Sequence, residues 1–357
     1  MKTIPVAACI MLSMSSLVQD STVSGLTFSG YVEAYYSYDL NKPADNNRPG
    51  FIYSHNRHNE FNINMAYIKA NYVAERVRAT VTLAAGTTMN ANYAAEPGVL
   101  KNIYEANAGY KLSKNKSLWF DIGVLPSHLG FESAISKDCW TLTRSLATEA
   151  SPYYESGAKL SYATDNDKLM VAIFALNGWQ RITRVDGNSL MSWGTQVMVK
   201  PSDKVTLNYS TFLGTDKPDS ARLWRIYHDI YGMFQFNDQF GLTAGFDIGT
   251  EQVSKGSDDV NTWYMPAVIL RFTPNKNWAA ALRAEYSSDE NGVIINTGTP
   301  NGFKTSGYSL NIDYWPMENV AIRCEGRVLK SKDAIFVKDG MPTKTNTAIT
   351  FSTVISF

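Results

Sequence analysis

The chain has 357 residues, with 33 basic and 33 acidic side chains and therefore no net charge. This balance argues against a nucleic-acid-binding protein, which needs a clustered basic surface. The 20 tyrosines, 16 phenylalanines and 8 tryptophans instead suit a sheet with one apolar side, one wet side and aromatic belts at its edges.

Residues 1–19 have the composition of a secretion signal. Lys2 supplies the positive start, and an apolar stretch and a run of small residues follow. The segment is too short for a membrane-spanning helix, and we expect it to be removed. Cleavage before Cys9, as in a lipoprotein, is the alternative. No later segment has the roughly 18 continuous apolar residues of a membrane helix.

From residue 27 onward, apolar and polar side chains alternate. In the first such segment, Phe28 and Val32 fall on one face, while Ser29 and Glu33 fall on the other. Period two over a dozen residues predicts a strand with one apolar side. The alternation recurs in segments that begin at Arg76, Leu118, Lys204, Gln239, Trp278, Thr305 and Asn319. The phase slips near Tyr67, and residues 169–179 are apolar on both faces, as a covered strand would be.

Short and long connections alternate between these segments. Short polar turns fall near residues 74, 113, 164, 201, 237, 274 and 316, with longer links at 40–59, 89–100, 127–154, 180–190, 214–221, 254–260, 288–303 and 330–344. Outer-membrane barrels have tight periplasmic turns and long extracellular loops. A soluble sandwich has no reason to sort its loops in this way. Seven turns and eight loops predict about sixteen strands, within a range of 14–18.

We therefore predict an all-β fold: one closed antiparallel transmembrane β-barrel over residues 20–357, in the bacterial outer membrane. A closed barrel satisfies every backbone N–H and C=O in lipid. Sixteen strands enclose a water-filled lumen, so selectivity requires something that narrows it. The longest link, residues 127–154, is predicted to fold inward as the constriction, and we call it the inward loop. The alternative is that it lies outside as a partner-binding surface.

The last predicted strand ends the sequence on an aromatic residue, Phe357. Ile349, Phe351 and Ile355 share its face. A terminal aromatic residue on an amphipathic strand resembles the signal that the barrel-assembly machinery reads. We therefore expect that machinery to be a partner of the chain.

Several long strings carry a family resemblance. They are FSGYVEAYYSYD from Phe28, NEFNINMAYIKANYVAERVRATVTLAAGT from Asn59, ANYAAEPG from Ala91, IYEANAGY from Ile103, PSHLGFESAISKDCWTLTRSLATEASPYYESGAKLSY from Pro126 and ALNGWQRI from Ala175. Through them the chain resembles the outer-membrane barrels of the putative β-barrel porin 2 family, densely over residues 28–182 and more loosely afterwards. The resemblance implies a barrel with porin activity, and it supplies no substrate and no residue-level transport mechanism.

Charged residues of the inward loop and of the predicted inner faces are the pore-lining or constriction candidates. They are Arg76, Arg78, Glu132, Lys137, Asp138, Arg144, Glu149, Glu155, Arg283, Glu285, Arg323, Glu325 and Arg327. Acidic loop residues opposite a basic wall would create a transverse field that selects solutes by size and charge. The alternative is that most of these charges are paired along a wet wall.

Other constellations give weaker signals. His55 and His58 are three residues apart, as in some metal sites, but a polar loop surrounds them. The adjacent Ser127 and His128 lack the third member of a hydrolase triad. A disulfide between the two remaining cysteines, 139 and 324, is not implied. Six tryptophans lie in or beside predicted strands, where several would form interfacial belts: 119, 193, 224, 263, 278 and 315. The alternation of their strands predicts that 119 and 315 face the lumen.

The function we predict is a porin, a passive diffusion channel for small hydrophilic solutes, without cofactor, bound metal or enzymatic activity. A surface receptor or adhesin-like barrel is the alternative, and a barrel enzyme is a weaker one. Expected partners are outer-membrane lipids, lipopolysaccharide and, by analogy with porins of this size, further copies of the chain. No nucleic-acid partner is expected.

Overall fold

Alternating side chains place apolar residues on the outside of a closed barrel. In β1 (Leu26–Asp39), Phe28 and Val32 are exposed on the exterior, whereas Glu33 and Ser37 are buried inside. The computed structural model describes residues 25–357, so the predicted signal segment, residues 1–19, lies outside the described residues. Within the described range the barrel has sixteen antiparallel strands, as the connections predict.

The strands after β1 have the following bounds. They are β2 (Phe61–Val73), β3 (Val77–Ala85), β4 (Ile103–Lys111), β5 (Ser117–Pro126), β6 (Tyr154–Ala163), β7 (Leu169–Leu176), β8 (Ser192–Ser202), β9 (Val205–Gly214), β10 (Arg225–Gln235), β11 (Phe240–Gln252), β12 (Val260–Asn275), β13 (Trp278–Asp289), β14 (Phe303–Met317), β15 (Val320–Ser331), β16 (Phe336–Lys338), β17 (Met341–Thr343) and β18 (Thr345–Ser356). β16 and β17 form a separate small hairpin, and the others form the barrel.

Pairing of β1 with β18 closes the barrel. Its register runs from Tyr31 opposite Ser356 to Asp39 opposite Ala348. Every barrel strand therefore has two neighbours, and no edge presents unpaired backbone groups to lipid.

Helical segments occur only between strands in the described range. They are α1 (Thr87–Asn92), α2 (Leu146–Glu149) and three 3-10 turns at Gly98–Asn102, Ser136–Asp138 and Asp219–Ala221. No helix of residues 25–357 is long and apolar enough to cross a bilayer.

Short turns gather at one end of the barrel and long loops at the other, as predicted. One irregularity in the predicted pattern also has a structural counterpart. A bulge in the β1–β2 pairing between Glu33 and Ala34 leaves Asn64 of β2 unpaired, close to the predicted slip near Tyr67. The inward loop covers residues 127–153, because Tyr154 already belongs to β6, where it pairs with Pro126 of β5.

Candidate functional site

The inward loop leaves β5 and lies inside the barrel, as predicted. His128 is its first anchor: Nδ1 lies 2.7 Å from Oε2 of Glu155 on β6, and Nε2 lies 2.8 Å from the carbonyl oxygen of Thr211 on β9. The imidazole ring also stacks on Phe174 of β7, with 4.1 Å between ring centroids. The candidate Glu155 therefore holds the start of the loop against the wall.

Two glycines of the wall make room for rings of the loop. A Cβ atom at Gly194 on β8 would lie 2.6 Å from the His128 ring, and one at Gly245 on β11 would lie 2.5 Å from the Phe131 ring. Atoms do not approach so closely, so a residue without a side chain is needed at each position. In a strand interior such a glycine often marks the close approach of another group.

Part of the barrel interior is a hydrophobic core. Leu129, Ala147 and Ala150 of the loop pack against inward-facing residues of β7, β9, β10 and β12. The wall residues of this cluster are Ala172, Phe174, Leu176, Phe212, Tyr227, Trp263 and Met265. The two apolar faces of β7 follow from this packing, since one face meets the exterior and the other meets the loop.

Farther around the wall, on β13 and β15, carboxylates accept hydrogen bonds from the loop backbone. Glu325 on β15 accepts from the N–H of Thr143 at 2.6 Å. Glu285 on β13 accepts from the N–H of Leu146, also at 2.6 Å. A buried N–H without a partner would be destabilising, so these carboxylates fix the path of the loop.

Five charged side chains join the loop to this wall, and we call them the anchoring network: Glu132, Arg283, Glu285, Glu325 and Arg327. Arg283 lies 2.7 Å from Glu325 and 3.4 Å from Glu285, and it reaches Glu132 of the loop at 3.9 Å. Arg327 lies 2.6 Å from Glu285. All five side chains are at most 2% exposed. They face inward as predicted, but burial removes them from contact with a passing solute.

Arg323 forms a second anchor. Its Nε lies 2.7 Å from Asp313 on β14, and its terminal nitrogens donate to the carbonyl oxygens of Ser136 and Cys139 on the loop. The hydroxyl of Ser136 in turn donates to Glu33 on β1 at 2.5 Å. The wall from β14 through β15 to β1 therefore holds the middle of the loop by direct hydrogen bonds.

Glu132 and Arg144 hold the turns of the loop together. Glu132 accepts from the N–H of Ser145 at 2.7 Å, and Arg144 donates to the carbonyl oxygen of Thr141 at 2.9 Å. Burial by itself would raise the pKa of Glu132, but the guanidinium groups of Arg144 and Arg283 outweigh it, and the pKa is lower than usual. The carboxylate of Glu132 is therefore ionised at neutral pH.

Glu149 connects the inward loop to the loop between β1 and β2, residues 40–60. It accepts from the backbone N–H of Tyr53 at 3.0 Å and from that of Ser54 at 3.4 Å. Burial raises the pKa of Glu149 to about 7, although these donors and Arg327 lower it in part. The contact between the two loops therefore includes a carboxyl group that titrates near neutral pH.

Three further ion pairs are partly open to solvent, and we call them the passage-side pairs: Lys137–Asp138, Lys69–Glu105 and Arg78–Asp121. The nitrogen–oxygen distances are 3.6, 3.1 and 2.6 Å, in that order. Lys137 and Asp138 of the loop are 27% and 31% exposed, and Lys69 and Arg78 of the wall are 31% and 35% exposed. These charges remain accessible to a solute inside the barrel.

Arg76, predicted to face the lumen, lies in the turn between β2 and β3. Its NH2 group donates to the carbonyl oxygen of Lys111 at 2.8 Å, and its guanidinium group lies 4.7 Å from the Tyr110 ring centroid. Tyr110 faces the exterior. Arg76 therefore belongs to the rim at the end with short turns and is not part of the wall around the loop.

The two histidines with metal-like spacing have separate roles. Nε2 of His55 lies 2.9 Å from Glu33, and Nδ1 of His58 accepts from the backbone N–H of Asp39 at 2.9 Å. In the part of the chain that the structure describes, no group of three or more His, Cys, Asp or Glu side chains could hold a metal ion.

The neighbouring Ser127 and His128 do not form a nucleophile–base pair. Ser127 Oγ accepts from the N–H of Leu129 at 3.1 Å, while both ring nitrogens of His128 face wall acceptors. No disulfide joins Cys139 to Cys324.

The tryptophans divide between the exterior and the interior. Trp193 and Trp278 face outward near opposite rims, 55% and 45% exposed, as belt residues would. Trp263, predicted for the belt, is fully buried in the interior core. Trp119 faces inward as its phase predicts, with Arg78 4.2 Å above its ring.

Several residues around the loop are not identified as site residues by sequence reasoning. Gly194 and Gly245 carry no charge or motif, and Asn311 accepts from the loop N–H of Leu142 at 3.0 Å. Strand parity places Asn311 on the inner face, and this is the one signal the sequence offers for it. Its contact with the loop depends on which strand lies opposite, which parity does not give.

Comparison with known proteins identifies a family whose model matches this chain. The family model described as "Putative beta-barrel porin-2, OmpL-like" matches residues 25–357. No curated protein sequence matches the chain.

Solved structures with the same fold include several outer-membrane barrels. OmpT of Vibrio cholerae superposes with a TM-score of 0.62 at 11% identity, over 95% of this chain and 100% of that chain. The anion-selective porin from Comamonas acidovorans gives 0.60 at 10% identity, over 93% and 99%. OmpF from Salmonella typhi, in complex with daunomycin, gives 0.58 at 11% identity, over 93% and 97%. At these identities the likeness concerns the fold.

Proposed function

This chain belongs to the putative beta-barrel porin-2, OmpL-like family of outer-membrane porins, and we propose that small hydrophilic solutes diffuse passively past its inward loop. The passage is bounded on one side by Lys137 and Asp138 of the loop and on the other by the inner faces of β2 to β5. No energy source, cofactor or catalytic step takes part.

The contrast in exposure carries this proposal. Charges of the anchoring network are at most 2% exposed, whereas Lys137, Asp138, Lys69 and Arg78 are 27–35% exposed. Inside a closed barrel, solvent access of this kind supports a wet path along the passage-side pairs. Paired charges of both signs line that path, which suits polar solutes more than one sign of ion.

The contacts of the inward loop also support a channel over an enzyme. His128 is occupied by Glu155 and Thr211, which supports the absence of hydrolytic chemistry at Ser127. Recognition of Phe357 by the barrel-assembly machinery, binding of lipopolysaccharide and assembly into homo-oligomers remain part of the proposal. One of the similar structures, OmpT of Vibrio cholerae, is described in a trimer form.

Single-channel recording in planar bilayers tests the passage. Lys137→Glu should shift the reversal potential in a salt gradient toward cation selectivity, because it replaces an accessible positive charge. The matched control is Lys116→Glu, in the turn between β4 and β5, where Lys116 is paired with Asp165 and well exposed. The control should keep wild-type selectivity.

Two outcomes would contradict the proposal. Equal shifts in both variants would place the selective charge away from the loop. A wild-type barrel that inserts but stays silent would exclude a channel and would favour the receptor alternative.

A further inference from the structure

A group of polar side chains lies on the exterior of the barrel, on the surface that meets lipid. Thr195 on β8, Tyr209 and Thr211 on β9 and His228 on β10 occupy outward positions. The hydroxyl oxygens of Thr195 and Thr211 are 2.6 Å apart, and Oη of Tyr209 lies 2.8 Å from Nδ1 of His228. We call these four residues the outer polar cluster.

The depth of the outer polar cluster is set by Trp193. This tryptophan is 55% exposed and is the second residue of β8, at the end with long loops, where an aromatic belt marks the boundary of lipid and water. Thr195 is two residues deeper, which is about 5 Å along the membrane normal for a strand tilted by roughly 45°. At this depth a lipid carries the carbonyl and hydroxyl groups that join its headgroup to its acyl chains.

An apolar groove of about 540 Å³ adjoins the cluster on its deeper side. Its lining includes Val197, Leu207, Ile230, Gly232, Ala244 and Phe246. The recess arises because Gly232 and Ala244 are small residues between large outward neighbours. We call it the outer groove, and its position below the cluster matches the course of an acyl chain toward the centre of the bilayer.

We propose that the outer polar cluster and the outer groove bind one acylated, phosphorylated glycolipid of the outer leaflet, the chemistry of the membrane anchor of lipopolysaccharide. The carbonyl oxygen of an amide or ester linkage of the lipid accepts a hydrogen bond from the outer polar cluster. One acyl chain of the same lipid occupies the outer groove. Polar groups that meet only hydrocarbon are destabilising, so a ligand with acceptors at this depth is favoured over a bare chain.

Charge at the rim favours an anionic headgroup. Lys217 lies in the loop that joins β9 to β10, at the same end of the barrel as Trp193, and its side chain is exposed. Among the described residues no carboxylate lies within 4 Å of its Nζ, so Lys217 is available to a lipid phosphate. The site rests on the lipopolysaccharide binding that is part of the proposed function, and because it is on the exterior it does not depend on the passage.

Native mass spectrometry of the full chain in detergent, titrated with diphosphoryl lipid A, tests the site. The wild type should hold one lipid A per barrel. Ala244→Phe fills the groove and should weaken retention by about tenfold, which corresponds to the loss of a few methylene contacts. The matched control is Ala284→Phe, an exposed outward alanine on β13, which should retain lipid A as the wild type does.

Further binding measurements distinguish lipid A from other occupants of the site. Lys217→Glu should weaken lipid A binding several-fold, and phosphatidylethanolamine should bind more weakly than lipid A. Equal retention by Ala244→Phe and Ala284→Phe would overturn the proposal, as would equal affinity for both lipids. A changed oligomeric state of Ala244→Phe with unchanged lipid retention would assign the groove to a second copy instead. Single-channel conductance of Ala244→Phe should equal that of the wild type, so failure here leaves the channel proposal intact.

Discussion

On the wall side of the inward loop, Arg283 lies among three carboxylates and is fully buried, whereas on the passage side Lys137 lies beside Asp138 and is 27% exposed. Both regions pair basic with acidic side chains at distances below 4 Å. The wall-side charges are removed from water and depend on one another, while Lys137 and Asp138 on the passage side are partly solvated. The same kind of interaction therefore fixes the loop in one place and, in the proposed passage, faces the solute in the other.

This difference teaches that charge alone does not identify a filter. A buried pair responds to the loss of one partner with a large loss of stability, because the other charge is left without compensation. A partly solvated pair responds with little, because water replaces the lost partner. Stability measurements and conductance measurements should therefore separate the two regions.

The largest expected effect follows removal of Arg283. Arg283→Ala leaves Glu285 and Glu325 without their shared partner, and we expect a loss of about 3–5 kcal/mol in the free energy of unfolding. The loop should also detach and raise single-channel conductance. Thermal unfolding in detergent and bilayer recording measure the two effects, and Lys137→Ala on the passage side, where both partners are partly solvated, is the control. Similar losses of stability in both variants would remove the distinction between the regions.

The contact between loops should make stability depend on pH. Burial raises the folded pKa of Glu149 to about 7, so the stability this group contributes is fully present below its unfolded pKa near 4.5 and is lost as pH rises through 7. The loss is at most about 3 kcal/mol. Glu149→Gln keeps an acceptor for Tyr53 and should flatten the profile between pH 5 and pH 8.

Thermal unfolding of the wild type and of Glu149→Gln across this range measures the effect. Glu60→Gln, in the partly exposed Arg57–Glu60 pair of the neighbouring loop, is the control and should leave the profile unchanged. A wild-type profile that rises from pH 5 to pH 8 would contradict the role of Glu149.

A smaller effect is expected where a wall glycine accepts a loop ring. Gly245→Leu should displace Phe131 and lower stability by about 1–3 kcal/mol, the usual range for overpacking. Gly326→Leu is the matched control, since nothing lies within 4 Å of a Cβ built on this outward glycine of β15. Equal melting temperatures for the two variants would show that the ring moves at no cost.

The smallest effect on stability belongs to the passage side. Lys137→Glu should change the free energy of unfolding by less than about 1 kcal/mol, because Lys137 and Asp138 are partly solvated. Its effect should appear in ion selectivity instead.

Local patterns were sufficient to predict most of the fold. The period-two alternation predicts the strands, and the alternation of short and long connections predicts their number and the two ends of the barrel. Arg283, Arg323 and Arg327 face inward as their parity requires. The double apolar character of residues 169–179 correctly indicates a strand covered by the loop.

Burial of the site charges could not be predicted in the same way. The bond from Thr143 to Glu325 joins residues 182 positions apart, and that from Leu146 to Glu285 joins residues 139 apart. Which strands face the loop depends on the path of the loop across the barrel. Neither parity nor composition records that path, so a buried anchor and an open filter look alike in the sequence.

These long separations also bear on how the protein matures. The strands that supply Arg283, Glu285 and Glu325 follow the inward loop by more than a hundred residues, so the loop has no fixed position until they have joined the sheet. Contacts of such high sequence separation form slowly. We expect a nascent barrel to remain hollow at first and to acquire its interior late, and a protease that cuts near Lys137 would therefore distinguish unfinished molecules from finished ones.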